Sequence, residues 1–205
     1  MGRGLFITFE GQDGSGKSTQ IAMLADWLTI EGHEVYNTRE PGGTPVGEAI
    51  RDILLDPAHR GMTAQCEALL YAAARAQIVR EKIVPALEAG RMVLCDRFIH
   101  SSLAYQGYGR ELGEEAVLSI NRPALAGLWP DLTFYFSMEP HQGLDRVKGR
   151  GLDRLESENG DFHERVRRGF MTLAQRDEKI VSVDAGLSRE EIARTIRRHV
   201  KRLMD

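Results

Sequence analysis

The sequence predicts an α/β fold in which a five-stranded parallel sheet carries helices on both faces. Short apolar runs recur along the 205-residue chain, and longer segments with helical periodicity separate them. Apolar strands that alternate with helices are typical of a parallel sheet buried on both sides. The predicted strands are Leu5–Phe9, Val35–Thr38, Met92–Cys95, Leu132–Phe136 and Ile180–Val183.

The helical segments between these strands are expected to be amphipathic. Pro85 lies inside the third segment, and because proline lacks an N–H and crowds the preceding turn, we expect a kink or two helices there. A chain of this length predicts one domain, residues 1–205. The predicted helices are roughly Lys17–Glu31, Pro45–Leu55, Ala64–Ala89, Glu114–Ala126, Pro140–Lys148, Asp161–Gln175 and Arg189–Met204.

Composition narrows the class of protein. A formal net charge of -3 and a pI near 6.1 give no general basic field, so we expect no nucleic-acid partner. The sequence shows no signal-peptide pattern, and no apolar run approaches the roughly 20 residues of a membrane span, which predicts a soluble cytoplasmic protein with no membrane partner. Cys66 and Cys95 are interpreted as buried thiols in a reducing compartment rather than as a disulfide.

The histidines show no spacing typical of metal ligands. We therefore expect them to be surface or boundary residues. They are His33, His59, His100, His141, His163 and His199.

A glycine-rich segment directly follows the first predicted strand. Residues 10–19, EGQDGSGKST, match the template of Gly11, four residues, Gly16, Lys17 and Ser18. Such a loop points successive N–H groups at a phosphate, and the helix after it adds its positive end. The Lys17 ammonium can reach the β- and γ-phosphates, and Ser18 is the expected hydroxyl ligand of Mg²⁺. The predicted triphosphate-binding residues are Gly11, Gln12, Asp13, Gly14, Ser15, Gly16, Lys17, Ser18 and Thr19.

Polar residues also follow the second and third strands. Ligands bind outside the carboxyl ends of the strands in such sheets, so these residues are functional candidates. Arg39 lies in TREPGGT beside a tight turn and suits a bidentate phosphate contact, which Arg51 on the next helix could join. Asp96 is placed to hold Mg²⁺ through water, and Arg97 to hold a second phosphate. A solvated arginine at 39 and a buried structural ion pair at 96–97 remain open alternatives.

Small polar and aromatic residues follow Arg97, in the segment 100–109, and predict a wall that packs on a planar ligand. TREPGGT, DRFIHSSLAYQG and LDRLE, in this order after EGQDGSGKST, closely resemble bacterial thymidylate kinase over essentially the whole chain. The resemblance implies a P-loop kinase fold and a homodimer. It also implies phosphoryl transfer from ATP·Mg²⁺ to dTMP.

The resemblance assigns roles around the acceptor phosphate and sugar. Asp13 would approach the sugar 3′-hydroxyl. Arg39, Arg51 and Arg97 would hold the acceptor phosphate.

The resemblance also assigns roles around the base. Tyr71 occupies the place of the aromatic residue that stacks on thymine, and Arg75 that of the arginine that reads a base carbonyl. The base and deoxyribose would be lined by Ser102, Tyr105 and Gln106, although some relatives have asparagine at the position of Ser102.

An arginine-rich stretch follows the fourth strand. Glycines and arginines alternate in GRGLDRLE, which suits a short lid, approximately residues 146–160, that closes over the phosphates; a solvated helix end is the alternative. Arg146, Arg150 and Arg154 are predicted to bind ATP. Because Gly14 follows Asp13 where some relatives carry a catalytic arginine, the lid must supply that charge, and Arg150 is favoured. The predicted catalytic set is Lys17, Asp96, Arg97 and Arg150.

Two other functions are weighed against this one. A deoxynucleoside kinase needs a carboxylate to take a proton from the acceptor hydroxyl, and Glu10 or Glu40 would have to serve. A GTP-binding switch is disfavoured because no Asn-Lys-x-Asp element occurs; asparagine is present only at positions 37, 121 and 159.

Overall fold

The sheet has the predicted architecture. The computed structural model describes residues 2–138 and 153–204, and its five strands are all parallel, in the order β2-β3-β1-β4-β5. Each predicted strand is confirmed and extends slightly further at its carboxyl end. The strands are β1 Phe6–Gly11, β2 Val35–Arg39, β3 Met92–Asp96, β4 Leu132–Ser137 and β5 Ile180–Asp184.

Helices connect the strands and cover the sheet. Hydroxyl or amide side chains cap several of them: Thr44, Thr63 and Asn159 each accept a hydrogen bond from a first-turn N–H. The predicted helix at 140–148 lies outside the described residues. The observed helices are α1 Lys17–Ile30, α2 Pro45–Leu55, α3 Ala64–Ile78, α4 Val84–Glu88, α5 Ile99–Ser102, α6 Glu114–Leu125, α7 Gly160–Arg176 and α8 Arg189–Met204.

Successive residues of β1 bury their side chains in two different cores. Phe6 packs with residues of α3, α6 and α7, whereas Ile7 packs with residues of α1 and α8. The alternation of side chains along a strand produces this division, and complete burial of a large apolar side chain stabilises the fold by roughly 1.5–3 kcal/mol. Helices on both faces of the sheet are therefore confirmed.

Pro85 divides the long predicted helix, as expected. A π-helical segment, Val79–Ile83, joins α3 to α4, and Pro85 lies in the first turn of α4. The N–H of a first-turn residue has no acceptor within the helix, so a proline without an N–H is tolerated there. A 3₁₀ turn, Pro57–His59, and a second π-helical segment, Leu103–Gly109, complete the regular structure of the described residues.

Three expectations about burial were wrong. Cys66 is exposed on α3, whereas Cys95 is a buried free thiol in β3. His100 and His163 are buried rather than at the surface, because α5 and α7 pack them against the sheet and the phosphate loop. Burial lowers the pKa of His100 to about 4, so its ring is neutral at pH 7.

The described residues lack both a membrane-spanning helix and a cluster of metal ligands. None of their helices combines the length and apolar character needed to cross a membrane. No group of three or more His, Cys, Asp or Glu residues is arranged there to hold a metal ion.

Candidate active site

The phosphate loop joins the end of β1 to the start of α1. Gly11, Gly14 and Gly16 all have positive φ angles, of 133°, 75° and 93°. At Gly11 a Cβ would lie 2.7 Å from the Phe136 carbonyl oxygen of β4. The glycine at this position is therefore required both by backbone conformation and by the close neighbouring strand. The loop places the N-terminus of a 14-residue helix at the carboxyl edge of the sheet.

Lys17 is folded back over its own loop. Its Nζ donates hydrogen bonds to the carbonyl oxygens of Gly11, at 3.1 Å, and Gln12, at 2.8 Å. Burial and the nearby Arg97 lower the Lys17 pKa to about 8. A cation is thus held inside the loop, next to the N–H groups that suit a phosphate.

Ser18 and Asp96 meet at the end of the sheet. The β1–β3 register pairs Phe9 with Asp96, and the Ser18 hydroxyl donates to Asp96 Oδ2 at 3.1 Å. Asp96 Oδ1 is buried and has no hydrogen-bond partner among the described residues. Mg²⁺ takes oxygen ligands and is commonly held by one or two carboxylates together with substrate phosphates. The hydroxyl and the unpartnered carboxylate oxygen fit that ion.

Arg97 directly follows β3 and contacts the phosphate loop. Its Nη2 donates to Asp13 Oδ2 at 3.2 Å, and its Nη1 donates to the Ser101 hydroxyl at 3.2 Å. The backbone of Arg97 is left-handed, with φ 69°, a conformation that costs a non-glycine residue of order 1–3 kcal/mol. The guanidinium carbon also lies 5.3 Å from the centre of the Tyr105 ring.

The side chain of Glu10 hydrogen-bonds to the residues that follow this left-handed turn. The carboxylate is fully buried in β1, where Oε1 accepts the Phe98 N–H at 2.9 Å and Oε2 accepts the Ser101 hydroxyl. Burial raises the pKa of Glu10 to about 7, although the hydrogen bond from Ser101 and the charge of Arg97 oppose the shift. Sequence reasoning considered Glu10 only as a general base and missed this structural contact.

A cleft of about 870 Å³, open to solvent, lies beside the phosphate loop. The structure brings nearly all of the predicted dTMP-binding residues to its walls, from the phosphate loop, the turn after β3, α2, α3, α5 and the π-helical segment 103–109. Those that line it are Asp13, Arg51, Tyr71, Arg75, Arg97, Ser102, Tyr105 and Gln106.

Arg39 is the predicted acceptor residue that does not line this cleft. Its side chain is half exposed, and its Nη2 donates to both carboxylate oxygens of Glu48, at 3.0 and 2.8 Å. The same carboxylate accepts the Gly43 N–H at 2.8 Å, so Glu48 holds the arginine along the turn. Arg51, in contrast, donates to the Pro41 carbonyl at 3.0 Å and does line the cleft.

Arg75 is a buried residue that lines the cleft. Its side chain is 1% exposed, and Glu40 Oε2 accepts from both Nε, at 2.9 Å, and Nη2, at 2.6 Å. Nη1 donates to the Ser102 hydroxyl at 3.0 Å and to Asn121 Oδ1. The sequence analysis considered Glu40 only as a general base, and it missed Asn121 as a site residue. A buried carboxylate thus balances a buried guanidinium.

Aromatic rings form the walls of the cleft, as predicted for segment 100–109. Tyr71 lines it from α3 and is half-buried. Tyr105 packs between Phe162 and Phe170 of α7, with ring centres 6.2 Å from each. Burial raises the pKa of Tyr105 to about 12, so its hydroxyl is neutral.

The lid arginines divide into two groups. Arg146 and Arg150 lie outside the described residues. Arg154 is buried, and it donates through Nε to the Leu54 carbonyl at 2.7 Å and through Nη1 to Glu67 Oε2 at 2.6 Å. Neither partner belongs to the phosphate loop, so this geometry does not support an ATP contact by Arg154.

The described part of the lid nevertheless contributes to the cleft. Asp153, Leu155 and Glu156 line it, together with His163 of α7. Sequence reasoning did not assign these four residues. The LDRLE motif was the available signal for the first three.

Comparison with known proteins shows the family of this chain. Residues 9–196 match the family described as thymidylate kinase. The chain belongs to the thymidylate kinase family. The resemblance seen in the sequence motifs is therefore confirmed, and the five-stranded parallel sheet is consistent with the P-loop kinase fold of that family.

Similar proteins from several bacteria carry the family's name. A thymidylate kinase of Halothermothrix orenii is 53% identical over 203 residues, which cover 97% of each chain. One from Exiguobacterium sp. is 53% identical over 189 residues, covering 91% of this chain and 89% of the relative. One from Bacillus licheniformis is 50% identical over 176 residues, covering 84% of this chain and 83% of the relative.

Replacement of Glu10 by glutamine tests the buried carboxylate. The Glu10 pKa rises from 4.5 in the unfolded chain to about 7 in the folded protein. Its contribution to stability is thus fully present below pH 4.5 and is lost as the pH rises through 7. Between pH 5 and pH 8, the free energy of unfolding of Glu10→Gln should rise by up to about 3 kcal/mol relative to that of the wild type.

Urea denaturation of both proteins at the two pH values measures this difference. Glu31→Gln, at an exposed position after α1, is the matched control and should follow the wild type. A Glu10→Gln difference that stays constant with pH would contradict the assignment.

Proposed function

We propose that this protein phosphorylates dTMP to dTDP with ATP and Mg²⁺, by direct in-line transfer, as a step in dTTP synthesis. The observation that carries the proposal is the contact between Arg97 and Asp13. This contact joins the phosphate loop to the neighbouring cleft. A donor phosphate on the loop and an acceptor phosphate in the cleft would meet at these two residues.

The phosphate loop is the proposed ATP site. Its N–H groups and the α1 N-terminus suit the β-phosphate, and the Lys17 ammonium neutralises charge on the transferring group. Ser18 and Asp96 would hold Mg²⁺, which supplies further neutralisation of the phosphate oxygens when it is bound. The ATP-binding assignments of residues 11–19, Arg146 and Arg150 stay predictions.

The cleft is the proposed dTMP site. Arg51 and Arg97 would hold the acceptor phosphate, and Asp13 would accept a hydrogen bond from the sugar 3′-hydroxyl. Tyr105 would lie against the 2′-carbon, where a ribose hydroxyl would meet its ring. Arg39 would have to exchange Glu48 for the acceptor phosphate, so its role depends on a rearrangement of that ion pair.

The base would be held between Tyr71 and the floor of the cleft. Tyr71 would stack on thymine, and Arg75 would donate to a base carbonyl. Glu40, Ser102 and Asn121 fix the Arg75 guanidinium before the base arrives, which lowers the entropy lost on binding.

No general base is needed for this reaction, since the acceptor is an anionic phosphate with a second pKa of about 6. Of the two carboxylates that could have served a deoxynucleoside kinase, Glu10 accepts hydrogen bonds from Phe98 and Ser101 through its two oxygens. Glu40 is held by Arg75 through Oε2. Catalysis would rest on alignment and on charge neutralisation by Lys17 and Arg97.

A coupled ADP-release assay tests the function. With ATP·Mg²⁺, dTMP should be the best acceptor in a panel of dTMP, dUMP, dCMP, dAMP, dGMP and thymidine. Lys17→Met should lower turnover by at least about a thousandfold while the protein stays folded, because the bridging charge is lost.

Lys82→Met is the matched control, since Lys82 is an exposed lysine paired with Glu81. It should keep wild-type turnover. Preferred use of thymidine over dTMP would instead identify a nucleoside kinase, and near-normal turnover of Lys17→Met would remove the loop from catalysis.

The lid arginines are distinguished by a second pair of variants. Arg150→Ala should lower kcat by roughly a hundredfold to a thousandfold and leave dTMP binding nearly intact, as expected for a contact made mainly in the transition state. Arg154→Ala should instead lower the melting temperature, since it removes a partner of the buried Glu67. Steady-state kinetics, calorimetric dTMP binding and thermal unfolding separate the two effects. Unaltered kcat with weakened dTMP binding in Arg150→Ala would place that residue in the acceptor site.

A homodimer in the cytoplasm completes the proposal. Leu69 on α3 is 57% exposed, which leaves an apolar side chain for a second copy to cover. Sedimentation should give a dimer for the wild type, and Leu69→Glu should shift it toward the monomer. The same distribution in both proteins would remove this face of α3 from the interface.

A further inference from the structure

Glu67 of α3 is a buried carboxylate that the proposed mechanism does not use. Its side chain is fully buried, and three side chains from two other parts of the chain converge on it. Arg110 donates to it through Nε and Nη2, at 3.0 to 3.3 Å, and Arg154 donates at 2.6 Å. The third donor is Gln106 Nε2, at 2.8 Å from Glu67 Oε1.

The chemistry of this cluster fixes the orientation of the Gln106 amide. Both oxygens of Glu67 lie against guanidinium N–H groups of Arg110 and Arg154, so these oxygens act only as hydrogen-bond acceptors here. Gln106 must therefore turn its nitrogen, and not its oxygen, toward Glu67. Gln106 lines the cleft and is 1% exposed, and no described residue donates to its Oε1. The amide oxygen is the atom left to face a ligand.

We propose that Glu67 is a positioning residue that sets base specificity through Gln106. This inference rests on the proposed function. With its oxygen turned to the cleft, Gln106 accepts a hydrogen bond from a base edge that carries an N–H, as the imino group of thymine does. Cytosine presents a lone pair at the same ring position, so two acceptors would face each other.

The surrounding charges make this orientation hard to reverse. Arg154 is itself held by the Leu54 carbonyl, and Arg110 makes a second ion pair with Glu158 at 2.6 Å. Rotation of the Gln106 amide would place its oxygen against the Glu67 carboxylate. A buried polar contact of this kind is costly, which is why mismatched hydrogen bonds discriminate strongly between ligands.

The test is the ratio of kcat/KM for dTMP to that for dCMP in Glu67→Gln. An amide at position 67 can donate or accept, so the orientation of Gln106 is no longer fixed. The ratio should fall by about tenfold or more, with KM for ATP within about twofold of the wild type. Gln106→Met, which leaves the Glu67–arginine pairs in place, should lower the ratio similarly.

Glu158→Gln is the matched control, because Glu158 also pairs with Arg110 but makes no contact with Gln106. Its ratio of kcat/KM for dTMP to kcat/KM for dCMP should equal that of the wild type. If Glu67→Gln gives little folded protein, the double variant Glu67→Gln/Arg154→Met removes the unpaired buried charge and takes its place.

An unaltered ratio in folded Glu67→Gln or its double variant, whatever the melting temperature, would show that Glu67 acts only in stability. An unaltered ratio in Gln106→Met would equally overturn the inference. Turnover of dTMP by the wild type is measured first, so failure of the proposed function is recognised separately.

Discussion

The parallel pairing of β1 with β3 is the constraint on which the site depends. Because the register sets Phe9 opposite Asp96, the phosphate loop and the Asp96–Arg97 turn leave the sheet side by side. The Ser18–Asp96 and Arg97–Asp13 contacts both cross this junction. A shift of one residue in the register would move these side chains to opposite faces of the sheet and separate the two halves of the site.

Beneath the site, buried carboxylates hold the arginines and turns that face the ligand. Glu10 supports the left-handed turn at Arg97, Glu40 pairs with Arg75, and Glu67 pairs with Arg154. Removal of one member of the Glu40–Arg75 or Glu67–Arg154 pair would leave an uncompensated buried charge. The cleft is thereby organised before a ligand enters, which suits a reaction that depends on alignment.

The sequence predicted most of the fold and much of the site because the relevant signals are local. The folded protein shows the predicted strands and helices and the glycine-rich loop. It also places Asp96 and Arg97 at the end of β3, as the sequence indicated. Arg39 and Arg154 behaved differently. The tertiary structure places the carboxylates of Glu48 and Glu67 beside them. A guanidinium binds a well-placed carboxylate as readily as it binds a phosphate.

By itself, the sequence determined the α/β architecture, the phosphate loop and the motifs of the thymidylate kinase family. Only the tertiary structure decided which arginines line the cleft, that Glu10 contacts Ser101 and Glu40 contacts Arg75, and that His100 is buried and neutral. Propensity and motif spacing act within a few turns of the chain. Ion pairing and desolvation depend on neighbours such as Glu67 and Arg154, which lie 87 positions apart in the sequence and 2.6 Å apart in space.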